Sequence, residues 1–120
     1  MPGTLDTPLY TLKAEFFKTL GHPARIRVLE LLVERDHTVA ELLAEVGLEA
    51  SSMSHQLGVL RRAGLVTATK QSTTVTYSLA SPAIAELLAV AREVLTGMLS
   101  GQVAVLADLR AARGVEGAET

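Results

Sequence analysis

Apolar positions at helical spacing, interrupted once by a stretch of strict alternation, divide the chain into six elements. Leu9, Leu12, Phe16 and Leu20 recur at three- and four-residue steps and predict a first helix over about 8–20, with Lys13 and Lys18 on its other faces. Gly21, His22 and Pro23 then punctuate the chain. The glycine suits a left-handed position after a helix, the histidine can cap the next one, and the proline is pre-organised for a first helical residue. The second helix, about 23–34, is apolar at 26, 28, 29, 31, 32 and 33, a surface wide enough to predict a central, mostly buried helix. Thr38 and Glu41 have the spacing of a capping box that opens a short third helix, and Gly47 closes it. A fourth helix is predicted from about Ala50 to Ala63, stopped by Gly64. It carries Met53, Leu57 and Leu60 on one face and Ser51, Ser52, Ser54, His55 and Arg62 elsewhere around the cylinder.

Residues 65–70 and 74–79 read as two strands joined by Gln71-Ser72-Thr73. In the second, Val75, Tyr77 and Leu79 alternate with Thr74, Thr76 and Ser78, the period of a half-buried strand. Pro82 opens the last helix, and apolar residues from Ile84 to Leu109 keep its rhythm. Gly97 and Gly101 interrupt that stripe, which leaves open either close helix approach or a break into two helices. The organisation predicted is a loose arm at 1–7, one domain over 8–113 and a polar tail at 114–120. The fold class is mainly α with a small β-hairpin: helix, tight turn, helix and ribbon make a winged helix-turn-helix, a shape that places one helix in the major groove of DNA. One small domain cannot cover so long a stripe. A homodimer through the first and last helices (about 8–20 and 82–113) is expected, using Leu9, Leu12, Phe16, Leu88, Leu95 and Leu99.

Charge supports that reading. The chain totals −2, yet residues 50–80 contain Arg61, Arg62 and Lys70 and no Asp or Glu, while residues 1–49 and 81–120 come to −3 and −2. A local cationic face on an acidic protein suits a nucleic-acid partner. At 120 residues and 48% apolar content one aliphatic core is expected, with only two Phe, two Tyr and no Trp. The absence of cysteine excludes disulfides, thiolate catalysis and cysteine-based metal sites. No apolar run reaches about 18 residues and no signal-peptide pattern opens the chain, so a soluble cytoplasmic protein with no membrane association is expected.

Ser51, Ser52, Ser54, His55 and Gln56 supply hydroxyl, imidazole and amide groups for phosphates and base edges, and Arg61, Arg62 and Lys70 supply charge-assisted phosphate contacts. Ser72 and Thr73 form a wing tip poor in charge, which predicts a weak salt dependence. Arg25 and Arg27 are expected to flank the DNA or pair with glutamates of the second helix. Ser51 and His55 stand four apart but lack a carboxylate to orient the imidazole, so catalysis is not expected. His22 reads as an N-cap. Glu34, Asp36 and His37 form a donor cluster able to take Ni or Zn, with a solvated loop as the plainer reading.

Taken in order, Leu20-Gly21-His22-Pro23-Ala24-Arg25, Thr38-Val39-Ala40-Glu41-Leu42, Ser51-Ser52-Met53-Ser54-His55-Gln56-Leu57, Leu60-Arg61-Arg62-Ala63-Gly64-Leu65-Val66 and Tyr77-Ser78-Leu79 resemble the ArsR/SmtB family of dimeric winged-helix repressors. The similarity spans roughly 9–100. It implies a dimer whose two recognition helices read a palindromic operator in double-stranded DNA, with release on metal binding in many members. The usual metal sites are missing: the third-helix site needs cysteines where Val39 to Leu42 stand, and the last-helix site needs histidine, of which 82–113 has none. Glu49, Ala50 and Gly58 also depart from the pattern. Gly58 costs about 1 kcal/mol of helix stability relative to Ala and removes an expected phosphate contact. A repressor is therefore the leading expectation. Its alternatives are a regulator responding to Ni, Zn or Co at a His/carboxylate site outside the usual ones, a regulator with a small molecule in the dimer groove, and a protein-interaction module without DNA binding.

Overall fold

Pro8 and Gly21 bound the first helix in the computed structural model, which describes residues 6–117, with side chains to 112. Helix α1 (Leu9–Leu20) starts with Thr11 and Leu12 N–H donating to the Pro8 carbonyl. Gly21 is not left-handed as expected; its φ is −77°. The helix closes instead by a tightened last turn, Gly21 N–H to Lys18 O at 3.1 Å, after which His22 extends directly into the next cap. Helix α2 (Pro23–Glu34) begins as predicted, with His22 Nδ1 accepting from Ala24 N–H at 3.1 Å and Pro23 at the first position. Val28, Leu29, Leu31 and Leu32 are buried along it.

A strand follows that sequence pattern does not reveal. Strand β1 (His37–Thr38) pairs antiparallel with the strand 40 residues later, His37 opposite Tyr77 and Thr38 opposite Thr76. The wing is therefore part of a three-stranded sheet, not a free two-stranded ribbon. Two residues are too few to show alternation, which is why the pairing is invisible in the chain. Helix α3 (Val39–Val46) carries the predicted capping box: Glu41 N–H donates to Thr38 Oγ1 and Thr38 N–H to Glu41 Oε1, at 3.2 and 2.9 Å. Gly47 at φ 76° ends it.

Helix α4 (Ala50–Arg62) ends in a motif with two characteristic bonds, Leu65 N–H to Leu60 O and Gly64 N–H to Arg61 O, both 3.0 Å, around Gly64 at φ 77°. Leu60 and Leu65, the apolar pair that accompanies such an ending, are both buried. Strands β2 (Val66–Gln71) and β3 (Thr74–Leu79) pair from Val66 opposite Leu79 to Gln71 opposite Thr74, leaving Ser72-Thr73 as the tip. The sheet order is β1-β3-β2. With a neighbour on each side, β3 is half-buried from Val75 to Leu79, which blurs the expected alternation.

Helix α5 (Pro82–Gly117) is continuous through Gly97 and Gly101, settling the question those residues raised. Nothing lies within 4 Å of where a Cβ would stand at either glycine. The helix extends past the expected limit at 113, because no residue of 113–117 terminates it. The arm and tail predicted at the termini fall mainly on residues outside the described range. Ile84 is buried, whereas Val90, Val94, Leu95, Met98, Leu99, Val103, Val105, Leu106 and Leu109 are exposed.

Candidate nucleic-acid interface

The two faces of α4 differ in chemistry. Met53, Leu57 and Leu60 are fully or nearly fully buried and fasten the helix to the core. Opposite them Ser51, His55, Gly58 and Arg62 follow at steps of four, three and four, one strip along the outer side. Ser51, Ser52, Ser54, His55, Arg61 and Arg62 are all exposed, as expected. On the wing, Lys70, Ser72 and Thr73 are exposed too. Ser72 adopts φ 58°, a left-handed conformation that costs a non-glycine residue energy and is imposed by the two-residue tip.

Gly58 has a use that the sequence did not suggest. A Cβ built there would lie 3.0 Å from Arg62 Nη1 and 3.6 Å from its Cζ. The guanidinium thus lies back along the helix over the vacant position, one turn from His55.

Gln56 corrects the expectation that placed it among the contact residues. It is only 9% exposed, and its Oε1 accepts a 2.7 Å hydrogen bond from Arg25 Nε. The residue shares the inner face of α4 with Met53 and Leu60, and periodicity alone reads a polar side chain as outward. Arg25 itself is half-buried and donates through Nη1 to the Thr19 carbonyl at 3.1 Å, so it neither flanks a ligand surface freely nor pairs with a glutamate. Arg27 does pair with Glu30, at 3.5 Å and exposed on both sides. The Arg25–Gln56 link spans 31 residues, and no local signal announces it.

The proposed donor cluster does not assemble. His37 is 4% exposed, drawn inward by its pairing with Tyr77, whereas Glu34 and Asp36 are exposed. Adjacent residues of an extended chain point to opposite sides, which separates Asp36 from His37. Glu41 Oε2 is 4.0 Å from His37 Nδ1 but is held by Arg35 at 2.7 Å. That hydrogen bond, followed by the one from Thr38 N–H, lowers the Glu41 pKa from its ordinary 4.5 to about 2. His22 is committed through Nδ1 to its capping bond. Among the described residues no group of three or more His, Cys, Asp or Glu could hold a metal ion, and no helix is long and apolar enough to cross a membrane.

A short capped helix, a turn at 47–49, an outward-facing polar helix and a hairpin wing define a winged helix-turn-helix regulator. The sequence profile described as "bacterial regulatory protein, arsR family" matches residues 22–68. The HTH-type transcriptional regulator Rv0081 of Mycobacterium tuberculosis is 69% identical over 105 residues, covering 87% of this chain and 92% of its own. Its crystal structure superposes with a TM-score of 0.77 at 66% identity, covering 82% of this chain and 99% of that one. The solution structure of a homodimeric winged helix-turn-helix DNA-binding domain, Mb0332 from Mycobacterium bovis, matches with a TM-score of 0.71 at 27% identity over 78% and 86% of the two chains. The transcriptional repressor BigR from Xylella fastidiosa gives 0.67 at 32% identity over 71% and 87%. The chain belongs to the ArsR family of bacterial transcriptional regulators. Its relatives are regulators and not enzymes.

Proposed function

We propose that this regulator binds a palindromic operator as a homodimer and represses the promoter that carries it. The observation that carries the reading is the outer strip of α4, where hydroxyls, an imidazole and an arginine are exposed while the opposite face is buried, within a segment free of acidic residues. In this reading α4 enters the major groove, Ser51, Ser52, Ser54 and His55 reach base edges and phosphates, and Arg61, Arg62 and Lys70 hold the backbone. Ser72 and Thr73 lie alongside as the wing tip. Support for a dimer comes from the exposed apolar residues of α1 and α5, among them Leu9, Leu12, Leu95 and Leu99. Phe16 and Leu88, also assigned to that interface, are half-buried in the single chain. The homodimeric Mb0332 domain and the repressor BigR support dimerisation and repression by kinship.

Two-fold symmetry would then place the half-sites about 34–36 Å apart, one helical turn of DNA, or a multiple of that. Three free cations per protomer neutralise about six phosphates per dimer, and log affinity should fall against log salt with a slope near −5. Fluorescence-anisotropy titration against DNA upstream of the protein's own gene, in a salt series beside random DNA, is the test. Substituting His55→Ala together with Arg62→Ala should abolish operator preference while sedimentation still shows the dimer. Equal affinity of the wild-type protein for both DNAs would overturn the reading in favour of a protein-interaction module. Regulation by Ni, Zn or Co finds no donor cluster among the described residues; a change of operator affinity on adding any of these ions would restore it.

A further inference from the structure

Arg25 joins three helices through one side chain. Its Nε donates to Gln56 Oε1 on the inner face of α4 at 2.7 Å, and its Nη1 donates to the Thr19 carbonyl in the last turn of α1 at 3.1 Å. That carbonyl is one of the terminal acceptors for which a helix has no partner of its own. Both bonds are charge-assisted, short and directional, and they spring from a planar group whose donors keep fixed angles.

The remaining attachments of α4 are of another kind. Met53, Leu57 and Leu60 pack by volume alone, and aliphatic packing of this sort tolerates small rotations of a helix about its axis. Base reading does not tolerate them: a recognition group must stay within about 0.5 Å and 10–20° of its productive geometry. Gln56 lies next to His55 and one turn beyond Ser52, so a hydrogen bond that holds Gln56 also holds the roll of the outer strip.

We infer that Arg25 is a positioning residue for base recognition: through Gln56 it sets the rotation of α4 relative to α1 and α2, and it does not itself contact DNA. The inference rests on the proposal that α4 enters the groove. It opposes the simpler expectation that Arg25, as a basic residue near the recognition helix, neutralises a phosphate.

The two roles differ in salt dependence. Anisotropy titrations of operator and random DNA across a salt series would be run on wild-type protein, Arg25→Met, Gln56→Met, the double variant, and Lys70→Met as a phosphate-contact control. Arg25→Met should lower operator affinity roughly tenfold or more, the scale of one lost hydrogen bond to a charged group. It should leave random-DNA affinity and the salt slope unchanged. Gln56→Met should do the same, and the double variant should lose no more than the worse single one. Lys70→Met should weaken both DNAs alike and reduce the slope by about 1.

Arg25→Lys covers the case in which Arg25→Met does not fold: it keeps the charge but lacks Nε, so a positioning role predicts lost operator preference with an unchanged slope. If Arg25→Met weakens both DNAs equally and flattens the slope as Lys70→Met does, Arg25 is a phosphate ligand and the inference is wrong. Multiplying effects of Arg25→Met and Gln56→Met, or wild-type discrimination in Arg25→Lys, would also overturn it. Wild-type protein that does not prefer operator over random DNA would instead sink the proposed function itself.

Discussion

The two helices of the helix-turn-helix are held in opposite ways. Helix α3 is locally complete: a capping box at its start, Gly47 in the left-handed region at its end, and Arg35 clamped on Glu41 beside the cap. Helix α4 has none of this at its start. Its N-cap, Glu49, makes no side-chain capping bond, and Gly58 interrupts its interior. Its order comes from burial of Met53, Leu57 and Leu60 and from the Arg25–Gln56 bond. The division suits a regulator. A helix stabilised from behind keeps its outer residues free for a ligand, whereas a helix stabilised by its own side chains spends them on the cap.

That contrast breaks most visibly in the core. Leu57→Ala should destabilise the protein by about 3 kcal/mol, the usual loss for a buried leucine, read as a lowered midpoint in denaturant. An effect below 1 kcal/mol would mean that α4 does not depend on that contact.

Thr38→Ala should cost about 1 kcal/mol, because it leaves the Glu41 N–H at the start of α3 without its acceptor. The matching change in α4, Glu49→Ala, removes no capping bond and should be near neutral in the same melts. Equal losses from the two would erase the distinction between the helices.

Gly58→Ala should act in two directions. Helix propensity favours the variant by up to about 1 kcal/mol, but the new methyl meets Arg62 Nη1 at 3.0 Å and must displace the guanidinium. Stability should rise while operator affinity falls, and the affinity loss should vanish in an Arg62→Ala background. A loss that persists without Arg62 would separate Gly58 from the arginine.

The smallest effect is the pH dependence of the α3 cap. Glu41 has a folded-state pKa of about 2, below its ordinary 4.5, because Arg35 and the Thr38 N–H stabilise the carboxylate. Its contribution is present above about pH 4.5 and is lost as pH falls through about 2. The difference in melting temperature between the wild-type protein and Glu41→Gln should therefore be constant near neutrality and shrink in acid. A difference that does not change down to pH 2 would show that the clamp contributes nothing through charge.

Sequence periodicity and punctuation were enough to place α1 to α4, the wing and the last helix, because caps, left-handed glycines and apolar spacing act over a few residues. They were also enough to find the outer strip of α4, since Ser51, His55 and Arg62 follow from the positions of Met53, Leu57 and Leu60 on one cylinder. What lay beyond that range was not legible. Gln56 is polar and reads as a contact residue until Arg25, 31 positions earlier, is seen to hold it. His37 reads as a loop donor until Tyr77 pairs with it across the sheet. Gly58 reads as a defect until the Arg62 guanidinium is found above it.

The amino-acid order by itself thus determined which segments are helix or strand, which face of each is apolar, and where positive charge gathers, all properties of neighbours along the chain. Tertiary structure alone decided which polar groups turn inward, that the wing takes a third strand, and how α4 is locked in rotation. Those outcomes depend on hydrogen bonds between residues tens of positions apart, and such bonds form only once folding has brought their donors and acceptors within reach.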